Sequence, residues 1–306
     1  MAGRVRDENG MRDDYRNYLF EAYLRVVNRY KPKAFVFENV PGILSARPGD
    51  GSKIIDRIQE SFRSDGYDVL SDLSNAIIDM TDYGVPQNRK RIIILGLSKE
   101  YFGDNAQYLI EKFYRENLPK YKTEKKATVK ESIGDLPKLY PLKEPVRWKG
   151  RKLSHSLPEP LINGHIARYQ SDRDIKIFKL LAEDIVSGKN HYTDTKTLKE
   201  LYTKMTGNVS NVHKYYVLRW DEPSNLFPAH LFKDGLRHIH PDPEQARSIT
   251  VREAARLQTF PDEYEFHGSQ TDSFRMIGNA VPPRFAKKLA MALADLLQEN
   301  EVKSVH

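Results

Sequence analysis

The chain has no cysteine. That excludes disulfides, thiolate metal sites and a cysteine nucleophile from within its 306 residues. It also lacks any apolar run long enough to span a bilayer, and no signal-peptide pattern follows Met1, whose neighbours include Arg4, Arg6 and Asp7. The expectation is a cytoplasmic protein that does not touch a membrane. Nine histidines, among them His230, His238 and His240, show no zinc-ligand spacing with carboxylate support, so they read as solvated loop residues and no metal is expected. Internal repeats and low-complexity tracts are missing as well. The remainder is a folding composition, with 39% hydrophobic and 30% charged residues and length for one large or two ordinary domains. Lys and Arg number 49 against 42 Asp and Glu, a net +7. That suits a polyanionic partner, although such a surplus is also common in proteins that never meet nucleic acid.

The stretch from Lys33 to Gly42 (KAFVFENVPG) opens as a buried β-strand and ends in Glu38 and Asn39 before a Pro-Gly turn. In α/β sheets ligands sit beyond the carboxyl ends of strands, so these two side chains stand at the lip of a crevice. Before it, Leu19, Phe20, Tyr23, Leu24 and Val27 recur at helical spacing. After it, Ser52 is placed to cap a helix with Ile54, Ile55, Ile58 and Phe62 on one face. Tyr67 to Ile78 reads as one strand and Arg91 to Leu95 as another, which implies a mostly parallel sheet. In the segment between them, Gln87, Arg89 and Arg91 alternate and would project to one side if it is extended.

The middle is richer in lysine and proline. Arg147, Lys149, Arg151 and Lys152 surround Trp148 in a basic loop, and helical patterns come later at Ile175 to Ile185 and Leu198 to Met205. Thr250 and Glu253 have capping-box spacing, so a helix starts there and stops before Phe260-Pro261. A last helix comes after Gly278-Asn279-Ala280-Val281-Pro282-Pro283, burying Phe285, Leu289, Leu293, Leu296 and Leu297. Taken singly, each motif has an ordinary reading: Glu38 a solvated carboxylate, Arg252, Glu253 and Arg256 a paired helix surface, Asn279 a turn residue, and the basic loop a solvated one.

In combination, four segments resemble the signature blocks of DNA (cytosine-5)-methyltransferases, in the family's order. They are Pro32 to Gly42, Tyr83 to Arg91, Thr250 to Pro261 (TVREAARLQTFP) and Gly278 to Pro283 (GNAVPP). Asp14 to Leu24 resembles the short helical block that precedes the first. The resemblance implies an α/β fold with an incomplete S-adenosylmethionine-dependent methyltransferase sheet, Rossmann-like, and a basic target-recognition domain. Residues 1–97 are expected to form the C-terminal half of the catalytic domain, 98–245 the DNA-recognising domain, and 246–306 a segment returning to the catalytic domain. It implies that Glu38 is the acid near cytosine N3, that Arg91 holds the cytosine O2 and that Arg89 is its neighbour. Leu19 and Asn279 are then expected at the S-adenosylmethionine, and Asn39, Gln87, Arg147, Lys149, Arg151 and Lys152 at double-stranded DNA.

The family's Phe-x-Gly-x-Gly cofactor loop and its Pro-Cys-Gln nucleophile loop have no counterpart here, and Met1 to Arg4 resembles the residues directly after the nucleophile loop. The expectation is therefore a truncated enzyme or one subunit of a split enzyme. Its partner would carry the missing loops, and the isolated chain would be inactive. A non-catalytic DNA-binding remnant is the alternative.

Overall fold

The computed structural model describes residues 19–47, 51–209, 215–228, 231 and 235–303. It divides into two compact units. The first takes the described residues up to Tyr83, Arg89–Thr123 and those from Ala286 on; the second takes Gly84–Asn88 and Glu124–Phe285. The first unit therefore runs past residue 97 as far as Thr123, and residues 246–285 group with the second unit rather than returning to the first.

In the first unit, helix α1 (Leu19–Tyr30) buries Phe20, Leu24 and Val27. Strand β1 (Ala34–Asn39) is next, then α2 (Ile54–Ser64), β2 (Tyr67–Val69), β3 (Ile77–Asp79), β4 (Lys90–Ser98) and α3 (Asn105–Lys112). Ser52 does not cap α2. Lys53 holds the cap position, and the Ser52 hydroxyl accepts from Arg57 Nε at 2.9 Å instead. The single strand expected from Tyr67 to Ile78 is broken, because Asp72 accepts from Ser74 N–H and winds Leu73–Ala76 into a 3-10 turn.

The sheet is not mostly parallel. Its order is β1-β4-β2, with β3 also on β4, and every pairing is antiparallel. β1, β2 and β3 run the same way, and β4 enters between them in the opposite sense. The broken strand leaves the centre of β4 without a strand partner on that side. The Tyr114 hydroxyl takes the place, donating to Ile93 O at 2.6 Å and accepting from Leu95 N–H at 2.9 Å.

On one face an aromatic cluster of Tyr23, Phe35, Phe37, Phe62 and Tyr67 packs at centroid separations of 4.5–6.4 Å. Phe35 lies directly opposite Gly96 in the ladder. A Cβ at Gly96 would stand 2.2 Å from the Phe35 ring, so this position admits only glycine while the ring stays in place.

In the second unit, the short helix α4 (Val129–Ile133) starts at a capping box of Thr128 with Glu131. The expected basic loop is a hairpin, β5 (Pro141–Trp148) and β6 (Arg151–His155), closed by Lys149 (φ 46°) and Gly150 (φ 77°). Two consecutive positive φ values are the geometry of the tight turn that matches strand twist. Helices α5 (Asp172–Val186) and α6 (Thr195–Thr206) bury the predicted Phe178, Leu181, Leu198 and Leu201. Helix α7 (Val251–Leu257) starts at the Thr250–Glu253 capping box as expected. Helix α8 (Gln270–Asn279) is additional to the helices expected; its sequence signal is its own capping box, Ser269 with Asp272. Helix α9 (Pro283–Lys303) buries Phe285, Ala292 and Leu296. Among the described residues no helix is long and apolar enough to cross a membrane.

Candidate active site

The β1–β4 register sets Glu38 opposite Ile93 and Asn39 opposite Ile92. The carboxyl end of β1 thus lies beside the start of β4, where Arg91 enters. Arg91 Nε donates to Glu38 Oε1 at 2.9 Å, with side-chain exposures of 10% for Arg91 and 29% for Glu38. Burial lowers the Arg91 guanidinium below its usual value, and the Glu38 charge opposes that shift. Arg89 is also buried and is pushed down to about 10, by burial first and then by the charge of Arg91, again against Glu38. Two guanidinium groups thus draw on the charge of one carboxylate at the strand end. Planar N–H donors gathered at such a point suit a carbonyl or phosphate oxygen.

Asn39 is engaged locally, its Oδ1 accepting from Val40 N–H at 2.8 Å and shaping the exit from β1. Leu19, at the start of α1, is 55% exposed. These are the predicted residues that the first unit contains.

Gln87 groups with the second unit, whereas Arg89 and Arg91 group with the first. Gln87 is fully buried. Its Nε2 donates to Gln258 Oε1 at 2.6 Å, and its Oε1 accepts from Phe227 N–H at 3.3 Å. Both ends of the amide are engaged within the second unit, and Gln87 thereby holds its loop. Gln258 also donates to Ala280 O at 2.7 Å. One buried side chain therefore ties the Gln87 loop to the turn after Asn279. Sequence reasoning assigns Gln258 no role, although it lies within the TVREAARLQTFP block. Arg284 adds a second tie, Nη1 to Gly84 O at 2.7 Å. Asn279 itself is exposed at the end of α8.

The α7 charges are not a helix surface. Glu253 is 1% exposed and receives both Nη1 and Nη2 of the equally buried Arg247 at 2.7 Å. Burial raises the Glu253 carboxyl, but Arg247 overrides it and holds the carboxyl well below the usual range. Arg252 donates to the carbonyls of Asn163, Pro261 and Tyr264, and Arg256 pairs with Asp135 and Asp262. His238 and His240 are buried rather than solvated, because they pack against Phe227 and Trp220 respectively. His230 lies outside the described residues. No group of metal-ligating side chains occurs among the described residues.

Arg147, Lys149, Arg151 and Lys152 are all exposed on the hairpin, and none forms an ion pair among the described residues.

Residues 3–295 match the family model for C-5 cytosine-specific DNA methylase. The chain is 38% identical to the type II methyltransferase M.Bpa9945I of Bacillus paralicheniformis, over 97% of this chain and 68% of that protein. It is 30% identical to the type II methyltransferase M.XorII of Xanthomonas oryzae pv. oryzae, over 95% of this chain and 65% of that one. It thus spans about two thirds of the length of these relatives. A crystal structure described as a DNA modification methyltransferase encoded within a prophage (E. coli) superposes with a TM-score of 0.55. The two are 26% identical, and the match covers 94% of this chain and 76% of the other.

Proposed function

The chain belongs to the C-5 cytosine-specific DNA methylase family, and from that membership we propose that it carries the base-holding and DNA-recognising part of a cytosine C5 methyltransferase in a restriction–modification system. The observation that carries this reading is the Glu38–Arg91 pair at the end of β1, with Arg89 coupled to it by charge. Attack of a thiolate on C6 of an extruded cytosine drives electron density toward N3 and O2, and C5 then becomes the nucleophile. An acid at N3 and a guanidinium at O2 lower that barrier. By their places in the family's blocks, Glu38 takes N3, Arg91 takes O2 and Arg89 backs them. Arg91 holds the Glu38 carboxyl in one orientation before a base arrives, which supports the pre-organisation such a role needs.

The family's methyl donor is S-adenosylmethionine, and the residues present do not make up its pocket. Leu19 and Asn279 are both exposed, and the glycine-rich loop that would complete it is not in the sequence. The donor loop and the thiolate therefore come from polypeptide outside these 306 residues, either further sequence of the same protein or a second subunit. DNA is met by Arg147, Lys149, Arg151 and Lys152, with Asn39 at the rim of the base site, and the work is done in the cytoplasm.

The lack of cysteine favours one other reading, a DNA-binding protein with no catalysis of its own. With S-adenosylmethionine and duplex DNA carrying fluorocytosine, the chain alone is expected to give neither transfer nor covalent trapping. Adding the segment of a relative that carries the nucleophile loop is expected to restore both. Duplex binding without restoration would favour the non-catalytic reading, and trapping by the chain alone would overturn the chemistry assigned here.

A further inference from the structure

The β5–β6 hairpin does more than expose four cations. It also lines a cavity of about 910 Å³, within the range of pockets that hold small molecules. Val146, Trp148 and Leu153 come from the strands, and Leu157, Pro158 and Leu161 from the segment after them. Val146 is 48% and Leu161 56% exposed, so large apolar side chains line the space without being covered. Polar groups are few. Of these, Lys138 is paired with Asp242 and Glu244, and His155 bonds to Gln245 O. Glu159 and Arg147 have no such partner among the described residues and line the same cavity.

We propose that this cavity receives a nucleobase, unpaired or extruded, whose strand is held by the hairpin cations. An indole with apolar walls offers a stacking platform for any base. Arg147 stands at the same wall as a phosphate contact, and Lys149 Nζ lies 4.7 Å over the Trp148 ring, placing a second cation beside the platform. The Glu159 carboxylate accepts N–H donors, as the exocyclic amine of cytosine offers, and it gives thymine O4 nothing to bond. The cavity residues all belong to the second unit, and Glu38 to the first. DNA as the partner is presupposed here.

The test uses the 306-residue chain with short oligodeoxynucleotides containing a fluorescent adenine analogue, as single strands and as paired duplexes, over a salt series. Trp148→Ala is expected to weaken single-strand binding about tenfold or more and to abolish the change in analogue emission. Trp148→Phe should restore most of it. Leu161→Glu, at an exposed position, should reproduce the loss without unfolding the chain. Glu159→Gln should narrow the preference for cytosine over thymine oligonucleotides. Arg147→Ala should weaken all forms and flatten the salt slope. A response from paired duplex would identify an extruded base as the occupant, and one confined to single strands an unpaired base. Normal duplex affinity and salt slope, indifferent to Trp148 and Leu161, would overturn the pocket alone. Absence of DNA binding in every form would overturn the pocket and the DNA reading together.

Discussion

At the scale of single residues, the Glu38–Arg91 contact decides what each partner can do. Arg91 is nearly buried, so a missing acceptor leaves a guanidinium in poor contact with water. Glu38 keeps part of its carboxylate exposed, which limits the cost of losing it. Glu38→Ala is therefore expected to cost about 1–2 kcal/mol, below the roughly 3–5 kcal/mol of a fully buried broken pair. Glu38→Gln retains an oxygen for Arg91 Nε and should cost less than half as much. Thermal unfolding of the two variants in the absence of DNA measures the order. A glutamine variant as unstable as the alanine one would mean that charge, not acceptor geometry, holds Arg91. Glu38 is legible in the sequence because a buried strand ending in a carboxylate is a local pattern. Its cation partner is not, since the pairing depends on an antiparallel register between segments well separated along the chain.

At the scale of elements, the strongly periodic or capped helices α1 and α7 are legible in the sequence, whereas α3, α4 and α8 and the strand pairing are not, for a physical reason. Helix α1 and the cap of α7 arise from spacings within a turn or two. The split of β2 from β3 depends on one aspartate closing a turn, and the direction of β4 on which neighbours it meets. The burial of Glu253 is hidden because a charged residue at helical spacing looks like surface until its partner Arg247 is seen folded under it. Gln258 belongs to the same class. It joins the Gln87 loop to the turn after α8 through bonds of 2.6 and 2.7 Å. Gln258→Leu keeps the bulk but removes the bonds to Gln87 and Ala280, and the buried Gln87 amide left without its acceptor costs about 1–3 kcal/mol. A fall of several degrees in the melting temperature is expected, and an unchanged melt would show that water replaces both bonds.

At the scale of the whole chain, titration separates the two units. Every described histidine lies in the second unit, and three of them are held neutral by contacts that use one ring nitrogen as donor and the other as acceptor. His155 pairs with Gln245 O and Ser154, His165 with Pro137 O and Thr250, and His240 accepts from Asp242 N–H while facing Glu253. Burial is the first cause in each case, pushing His155 down to about 4 and His240 to about 3, and lowering His165. Unfolded histidine titrates near 6.5, so below that pH the unfolded chain binds protons that the folded unit refuses. Stability is therefore full above about pH 6.5 and falls as the pH drops toward 4, by about 1.4 kcal/mol per pH unit for each of His155 and His240, with His165 acting in the same direction. Glu253 acts in the same direction at still lower pH, because its depressed carboxyl must take up a proton that Arg247 excludes. Both tryptophans, Trp148 and Trp220, are in this unit, so their emission reports it alone while far-ultraviolet dichroism reports both. Between pH 6.5 and 4 the melting temperature followed by tryptophan emission should fall faster than that followed by dichroism. Replacing His240 by glutamine should reduce the difference. Parallel curves, or a tryptophan melt that does not move with pH, would show that these histidines are protonated without unfolding the unit.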